Sequence, residues 1–346
     1  MNPLLLIWYT SLLLAAAAVA TMILLILARL VVQRRAQSRA KRRRKLVQEL
    51  LRGDTPSRDR FRGLPRDLVT DTFLDLIRLV RGKERDLLVE QAAQLGVAEQ
   101  LVRRARSTSA RKRLVAVQSL AQFHDDDSLY RLHQAVGDRN EDVRLAAALS
   151  LAEAGRSDDI HALVERLGLG TAQDSLMMVT LFRVVAEDRP EEIKALALNE
   201  GANLQARLAA IEALATTGDY SLVSLIAGLV LAAPDDSEEL PRYLRALGTL
   251  GHPAAGAAIM DGLGRSTVAA RAAAAGAAGQ IRLPDASDRL VELLDDPEWL
   301  VRFRAAEALI QFGAAGTSRL RDAARIGSST AREAAATVLA EHGDPR

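Results

Sequence analysis

Apolar residues recur along most of the chain at helical spacing, and one thirteen-residue arrangement of them returns repeatedly. Residues 301–313, VRFRAAEALIQFG, and residues 143–155, VRLAAALSLAEAG, carry Val-Arg, Ala and Leu in the same places and end on glycine. With position 1 at Val301 and position 13 at Gly313, the frame fits eight times, beginning at Lys112, Val143, Met177, Ala206, Glu239, Ala270, Val301 and Ala331. Successive copies start 29 to 34 residues apart. Position 2 is arginine in six copies (Arg113, Arg144, Arg207, Arg271, Arg302 and Arg332), position 9 is apolar in all eight, and position 13 is glycine in five. A degenerate ninth copy runs from Glu84 to Gly96. Shorter amphipathic segments, such as DSLYRLHQAV, DDIHALVERL and ASDRLVELL, lie between the frames. Each unit therefore reads as helix A, a turn, helix B and another turn. A period near thirty residues predicts a solenoid, whose neighbouring units bury each other's apolar faces.

At 100° per residue, positions 1, 5, 8, 9 and 12 form one apolar arc. Positions 3, 6 and 10 are mostly apolar too. Position 10 is alanine or glycine in seven copies, which lets adjacent helices approach closely. Positions 4, 7 and 11 remain as an open arc, and position 11 is Gln, Glu or Thr in every copy. Besides Gln118, Gln122 and Glu153, the polar members of this arc are Arg183, Glu187, Glu212, Arg242, Arg245, Arg304, Glu307 and Gln311. Near Ala273 and Gly276 the arc is nearly bare.

The segments DDPEWLVRFRAAEALIQFG and GDRNEDVRLAAALSLAEAG resemble HEAT repeats, in the short form also called phycobilin-lyase-type HEAT-like repeats. The Asp-x-x-x-x-Val-Arg-x-x-Ala-Ala core matches residues 296–306 and, with a close variation, residues 138–148. The resemblance covers residues 84–346. It implies an all-α fold, a right-handed α-solenoid of about eight to nine HEAT-like helix pairs, with B helices lining the concave surface. The open arc would be the floor of that surface, where Arg183, Glu187, Glu212, Arg242, Arg245, Arg304, Glu307 and Gln311 meet a protein partner. It also implies inter-repeat Asp–Arg contacts, which the copies at Met177 and Glu239 cannot make because they lack the arginine. Such repeats serve scaffolds and adaptors. The alternative is a lyase-type enzyme or small-ligand-binding protein acting in the groove.

The N-terminus changes the picture. Residues 3–28 contain no charged side chain, and this run exceeds the ~20 residues that cross a bilayer as a helix. Trp8 and Tyr9 stand near one end, where amphipathic rings favour the interface. The segment AAAAVA imitates a signal-peptide cleavage site, but no basic region precedes the apolar run and the run continues well past it. Residues 29–45 then hold nine Arg or Lys and no acid. The positive-inside rule places the N-terminus outside and the rest of the chain in the cytoplasm, as a single-pass protein of the inner membrane. Beyond stopping transfer, Arg34, Arg35, Arg39, Lys41, Arg42, Arg43, Arg44 and Lys45 are expected to meet anionic lipid head groups. No Gly or Pro interrupts residues 29–52, which read as a basic juxtamembrane helix. Residues 53–65 read as a linker, and Pro65 opens a helix that stops at Gly82. The solenoid domain spans residues 66–346.

Charge narrows the partners. The chain carries +2 overall, but residues 1–45 contribute +9 of that, and residues 121–346 hold 22 basic against 34 acidic side chains. Such a body is repelled by a phosphate backbone, so no nucleic-acid partner is expected. The composition is 49% hydrophobic and 3% aromatic, which suits closely packed helices of alanine and leucine. With no cysteine there are neither disulfides nor thiolate metal sites. Gly168 and Gly170 form a Gly-x-Gly core with no preceding strand, so an inter-helix turn is expected there. The five histidines are scattered over different units. HDDDS at residues 124–128 is read as the cap of a helix A, because consecutive acids do not converge on one ion. The pairs Asp235-Asp236 and Asp295-Asp296 also fall at turns. No nucleophile–base constellation is readable, and neither an enzyme nor a cofactor is predicted. Trp299 is expected to pack over an A–B turn, with a partner hot spot as the alternative.

Overall fold

The structure, a computed structural model, describes residues 64–168 and 176–343, together with helical residues 12, 20–23, 26, 29, 33, 37, 38 and 40–48. Every regular element among them is a helix. The chain forms two compact units, residues 1–131 and 132–346. The first holds α1 (Arg66–Leu79), α2 (Lys83–Gln94), α3 (Val97–Arg104) and α4 (Ala110–Leu120), and the boundary falls within α5 (Asp126–Ala135). The second continues with α6 (Glu141–Glu153), α7 (Ile160–Leu167), α8 (Leu176–Asp188), α9 (Pro190–Leu198), α10 (Leu204–Ala215) and α11 (Leu222–Ala232). It closes with α12 (Leu240–Leu250), α13 (Gly256–Leu263), α14 (Val268–Ile281), α15 (Ser287–Glu292), α16 (Trp299–Gln311), α17 (Ala314–Ile326) and α18 (Ser329–Glu341). Short 3-10 turns precede α13 and flank α15.

In the first unit the Pro65 carbonyl accepts from the N–H groups of Leu68 and Val69, which starts α1. The helix buries Phe73 and Ile77, and α1 packs on α2 and α3 while α3 packs on α4. The degenerate frame falls on α2, where Ala92 is the one buried residue.

The eight full frames fall one each on α4, α6, α8, α10, α12, α14, α16 and α18. Positions 5 and 9 are buried in every copy. Through the second unit each of these B helices packs on the next B helix, and the A helices α9, α11, α13, α15 and α17 each pack on the B helix that follows. Three residues before position 1, Asn140, Asn203 and Ser328 cap their helices by accepting the N–H of Val143, Ala206 and Ala331 at 3.2, 3.2 and 3.1 Å.

Position 13 adopts a left-handed backbone in six of the eight copies. Its five glycines, Gly155, Gly218, Gly251, Gly313 and Gly343, have φ between 67° and 74°, the usual way for a helix to end. The α14 copy has Arg282 instead, at φ 56°, the single non-glycine residue with positive φ among the described residues.

Position 10 sets the helix spacing. A Cβ on Gly248 would stand 2.9 Å from Ala277 Cα, and one on Gly279 would stand 2.8 Å from Ala308 Cα. In both cases the glycine faces position 8 of the next B helix. A side chain at either place would have to push two backbones apart.

In four copies the arginine at position 2 clips the turn that precedes its own helix. Arg113 Nη1 donates to the carbonyls of Ser107 and Thr108, both at 3.0 Å, and Arg302 Nη1 to those of Asp296 and Pro297, both at 2.8 Å. Arg271 Nη1 does the same with Arg265 and Ser266, and Arg144 Nη1 with Asp138. Arg271 also reaches the next repeat, where its Nε and Nη2 meet the Asp296 carboxylate at 2.8 and 3.1 Å. The inter-repeat Asp–Arg contact implied by the family resemblance is thus made here.

Two changes test this packing by thermal melting. Replacing Arg282 with glycine relieves a left-handed backbone that costs an L-residue about 1 kcal/mol, so Arg282→Gly should melt higher. Gly279→Ala should cost about 1–3 kcal/mol through overpacking. Gly276→Ala, three residues earlier and with nothing within 4 Å of the new methyl, should gain about 0.5–1 kcal/mol of helix stability.

Candidate interaction surface

The B-helix face of the second unit is largely open where the frame places it. At position 11 Glu153, Glu187, Thr216, Thr249, Gln280, Gln311 and Glu341 are all exposed. At position 7 Arg183 and Arg245 are exposed, while Glu212, Gly276 and Glu307 are half-buried. The Gln311 side chain lies over Gly279 of the preceding B helix. Around Ala273 and Gly276 the face is bare, as expected, since nothing stands within 4 Å of where a Gly276 Cβ would be. Partial desolvation keeps the Glu153 carboxyl above its ordinary value.

Position 4 departs from the expectation. Arg304 is exposed and pairs with Glu307 at 2.8 Å on its own helix, an exposed pair worth little. Ala146, Ala209 and Arg242, however, are buried. Arg242 is 6% exposed. Its Nε and Nη2 hold the two Glu212 oxygens at 2.6 and 2.9 Å, and its Nη1 holds Gln205 Oε1 at 2.8 Å. The side chain crosses from α12 to α10, so it joins helices instead of meeting solvent. A two-pronged guanidinium–carboxylate pair keeps both charges satisfied in that seam. Arg245 stands 3.9 Å from the same Glu212. The open surface is therefore the position-11 row with Arg183, Arg245, Arg304 and Glu307, and Arg242 belongs to the packing.

The acidic residues at turns are tied into the structure. Asp125 caps α5, accepting the Ser128 N–H at 2.9 Å and its hydroxyl at 2.7 Å. Asp235 accepts the Ser266 N–H at 3.0 Å. Asp295 accepts the hydroxyls of Ser328 and of Thr330, the latter at 2.8 Å. These bonds hold the carboxyls of Asp235 and Asp295 below the ordinary carboxylate range, and each links one repeat's turn to the next.

Sequence reasoning missed a second set of arginines, at or just beyond the A helices. Arg265 donates to the carbonyls of Val230 and Ala233 at 3.2 and 3.1 Å, Arg289 to Leu263 at 3.4 Å, and Arg131 to Ala105 at 2.5 Å. They satisfy carbonyls at the end of the preceding A helix. A basic residue within or just beyond α5, α13 and α15 was the available signal. Trp299 also departs from expectation. It is 60% exposed and stacks on Phe303, one helical turn along, with ring centroids 5.2 Å apart.

At the N-terminal end, residues 41–45 are helical and exposed, and Arg43 Nη2 meets an Asp75 oxygen at 2.9 Å. Arg34, Arg35, Arg39, most of the apolar run at residues 3–28 and nearly all of the linker at residues 53–65 lie outside the described residues. Among the described residues no helix is long and apolar enough to cross a membrane, and no group of His, Asp or Glu could hold a metal ion.

A family model for HEAT repeats matches residues 98–175 and 226–310 of the chain. No curated protein matches it. Among solved structures it is similar to Kap121p (13% identity, covering 81% of this chain and 38% of that one, TM-score 0.38). It is also similar to the karyopherin Kap121p bound to the extreme C-terminus of the phosphatase Cdc14p (15%, 79% and 37%, TM-score 0.38). A third similar structure is human deoxyhypusine hydroxylase in complex with glycerol (15%, 76% and 100%, TM-score 0.31). The chain spans well under half the length of the Kap121p structures it matches.

The two kinds of arginine should separate in a melting experiment. Arg242→Ala leaves the Glu212 carboxylate without its buried partner and should cost roughly 1–3 kcal/mol. Arg183→Ala, at an exposed position, should stay within about 0.5 kcal/mol of the parent. Equal melting of the two variants would mean that the α10–α12 seam does not depend on the guanidinium.

Proposed function

We propose that this protein is a membrane-anchored scaffold or adaptor whose B-helix face binds a protein partner on the cytoplasmic side. One observation carries the reading. Exposed position-11 side chains recur on seven successive B helices of the second unit, from α6 to α18, joined by Arg183 and Arg245 at position 7, with the bare patch at Ala273 and Gly276 between Arg245 and Arg304. Extended faces of this kind are what repeat arrays offer to partners. The charge-free run at residues 3–28 and the nine cations after it support the anchor and its orientation. The described side chains of that run fit, since Leu12, Met22, Ile23 and Ile26 are helical and about half-exposed. An anchored array is placed to act on a membrane-embedded complex, such as a polysaccharide-synthesis glycosyltransferase. Residues 41–45 add attraction to anionic lipid head groups.

Affinity purification from detergent-solubilised membranes tests the partner. The parent chain should bring down a membrane protein in stoichiometric amount. A variant carrying Arg183→Ala, Glu187→Ala, Arg245→Ala and Arg304→Ala should lose most of it while melting within a few degrees of the parent. If the variant retains the partner in full, or if a small molecule instead of a protein occupies this face, the scaffold reading fails.

A further inference from the structure

The first unit contains a groove of about 670 Å³ between α1, α3 and α4 that the interaction surface does not use. Its sequence is unusual for this chain. Residues 101–114, LVRRARSTSARKRL, hold six cations and no acid, whereas residues 121–346 are strongly acidic. Four of those cations, Arg103, Arg104, Arg111 and Lys112, line the groove against two carboxylates, Asp67 and Asp71.

The carboxylates are already committed. Arg104 Nη2 meets Asp67 at 2.8 Å and its Nη1 meets Asp71 at 2.7 Å. Burial opposes the Arg104 charge, but these two partners outweigh it and its proton is held more tightly than usual. Gln100 bridges the wall to the next cation. Its Nε2 donates to Asp67 at 3.0 Å, and its Oε1 accepts from Arg103 Nε and Nη2 at 3.0 and 2.7 Å. Arg103 is thereby oriented without being neutralised. Among the described residues Arg111 and Lys112, in the first turn of α4, have no carboxylate partner, and no acidic side chain shares that turn. The turn before α4 would otherwise present carbonyls, yet those of Ser107 and Thr108 are taken by Arg113. The hydroxyls of Ser107 and Ser109 add donors at the edge, and Leu101, Val115 and Ala116 supply an apolar wall.

We infer that this groove binds a phosphate-bearing ligand, either a soluble phosphate ester or the head group of an anionic phospholipid. Three cations left over after the Asp67–Arg104–Asp71 cluster match more than one negative charge. A guanidinium fork suits phosphate oxygens, and a monocarboxylate would leave two cations unmatched. The volume lies within the range of small-molecule sites, roughly 300–1,000 Å³, and exceeds what one phosphate fills, so the apolar wall has an organic body to cover. The inference is independent of the scaffold reading, since it uses other residues in another unit.

The test uses the full chain in detergent micelles with Arg42, Arg43 and Arg44 changed to Gln, so that the basic segment contributes little. Inorganic pyrophosphate is titrated by calorimetry, and a fluorescent phosphatidylglycerol is compared with its phosphatidylcholine counterpart in the same micelles. Adding Arg103→Gln, Arg111→Gln and Lys112→Gln should leave melting unchanged. It should weaken pyrophosphate, phosphatidylglycerol or both by at least tenfold, because a charge-assisted hydrogen bond is worth about a factor of ten or more. Loss for pyrophosphate points to a soluble ligand, and loss for phosphatidylglycerol alone points to the lipid. If neither probe binds, or both bind the groove variant as they bind its parent, the inference is overturned.

Discussion

A sharp turn between two packed helices leaves backbone carbonyls that neither helix can satisfy, and an unpaired buried carbonyl is costly. In this protein the arginine at position 2 of helix B answers that constraint in four copies, as Arg113, Arg144, Arg271 and Arg302. It lies one turn into the helix and folds its guanidinium back over the carbonyls five and six residues earlier. The A–B corner then has a defined angle, and everything further out inherits it. Positions 5 and 9 point into the same seam in every copy, position 10 meets position 8 of the next helix, and the acidic residue of one turn reaches the next. The copy at Glu239 has no such arginine. There Arg242 spans from α12 to α10 instead, and Arg207 of the preceding copy stands 4.0 Å from Glu239.

Close packing and an open face are two results of one pattern. Because glycine and alanine bring the B helices together, their backbones sit side by side and only position 11 projects fully in every copy of the second unit. Position 4 lies on the flank, so its fate depends on the neighbour. Ala146 and Ala209 are covered there, Arg304 extends into solvent, and Arg242 is drawn across to Glu212.

Much of the fold was legible because its determinants are local and repeated. The frame located every B helix from α4 to α18, and glycine at position 13 marked five left-handed turns that end B helices. The candidate surface was legible only in part. A helical projection treats each helix alone, and at 100° per residue position 4 of α12 is indistinguishable from position 4 of α16. The information that separates them lies thirty residues away, in the opposite charge of Glu212 at position 7 of the previous copy. Trp299 was misjudged for a related reason. Large aromatic surface argues for burial, but in the α16 turn Phe303 alone stacks against it. The cation-lined groove was not foreseen because its lining comes from α1 and from α3–α4, some thirty-five residues apart, and charge tallied over long stretches hides it.

In the second unit the side-chain bonds that join consecutive repeats connect residues no more than 37 apart in the chain, as in Arg271–Asp296, Arg242–Gln205 and Arg265–Val230. Such low contact order lets a chain fold without first closing long loops. In the second unit each repeat can settle onto the one before it as soon as some thirty more residues have left the ribosome. Assembly can therefore keep pace with synthesis, and the apolar face of a growing end is covered by the next helix pair before a distant segment is needed.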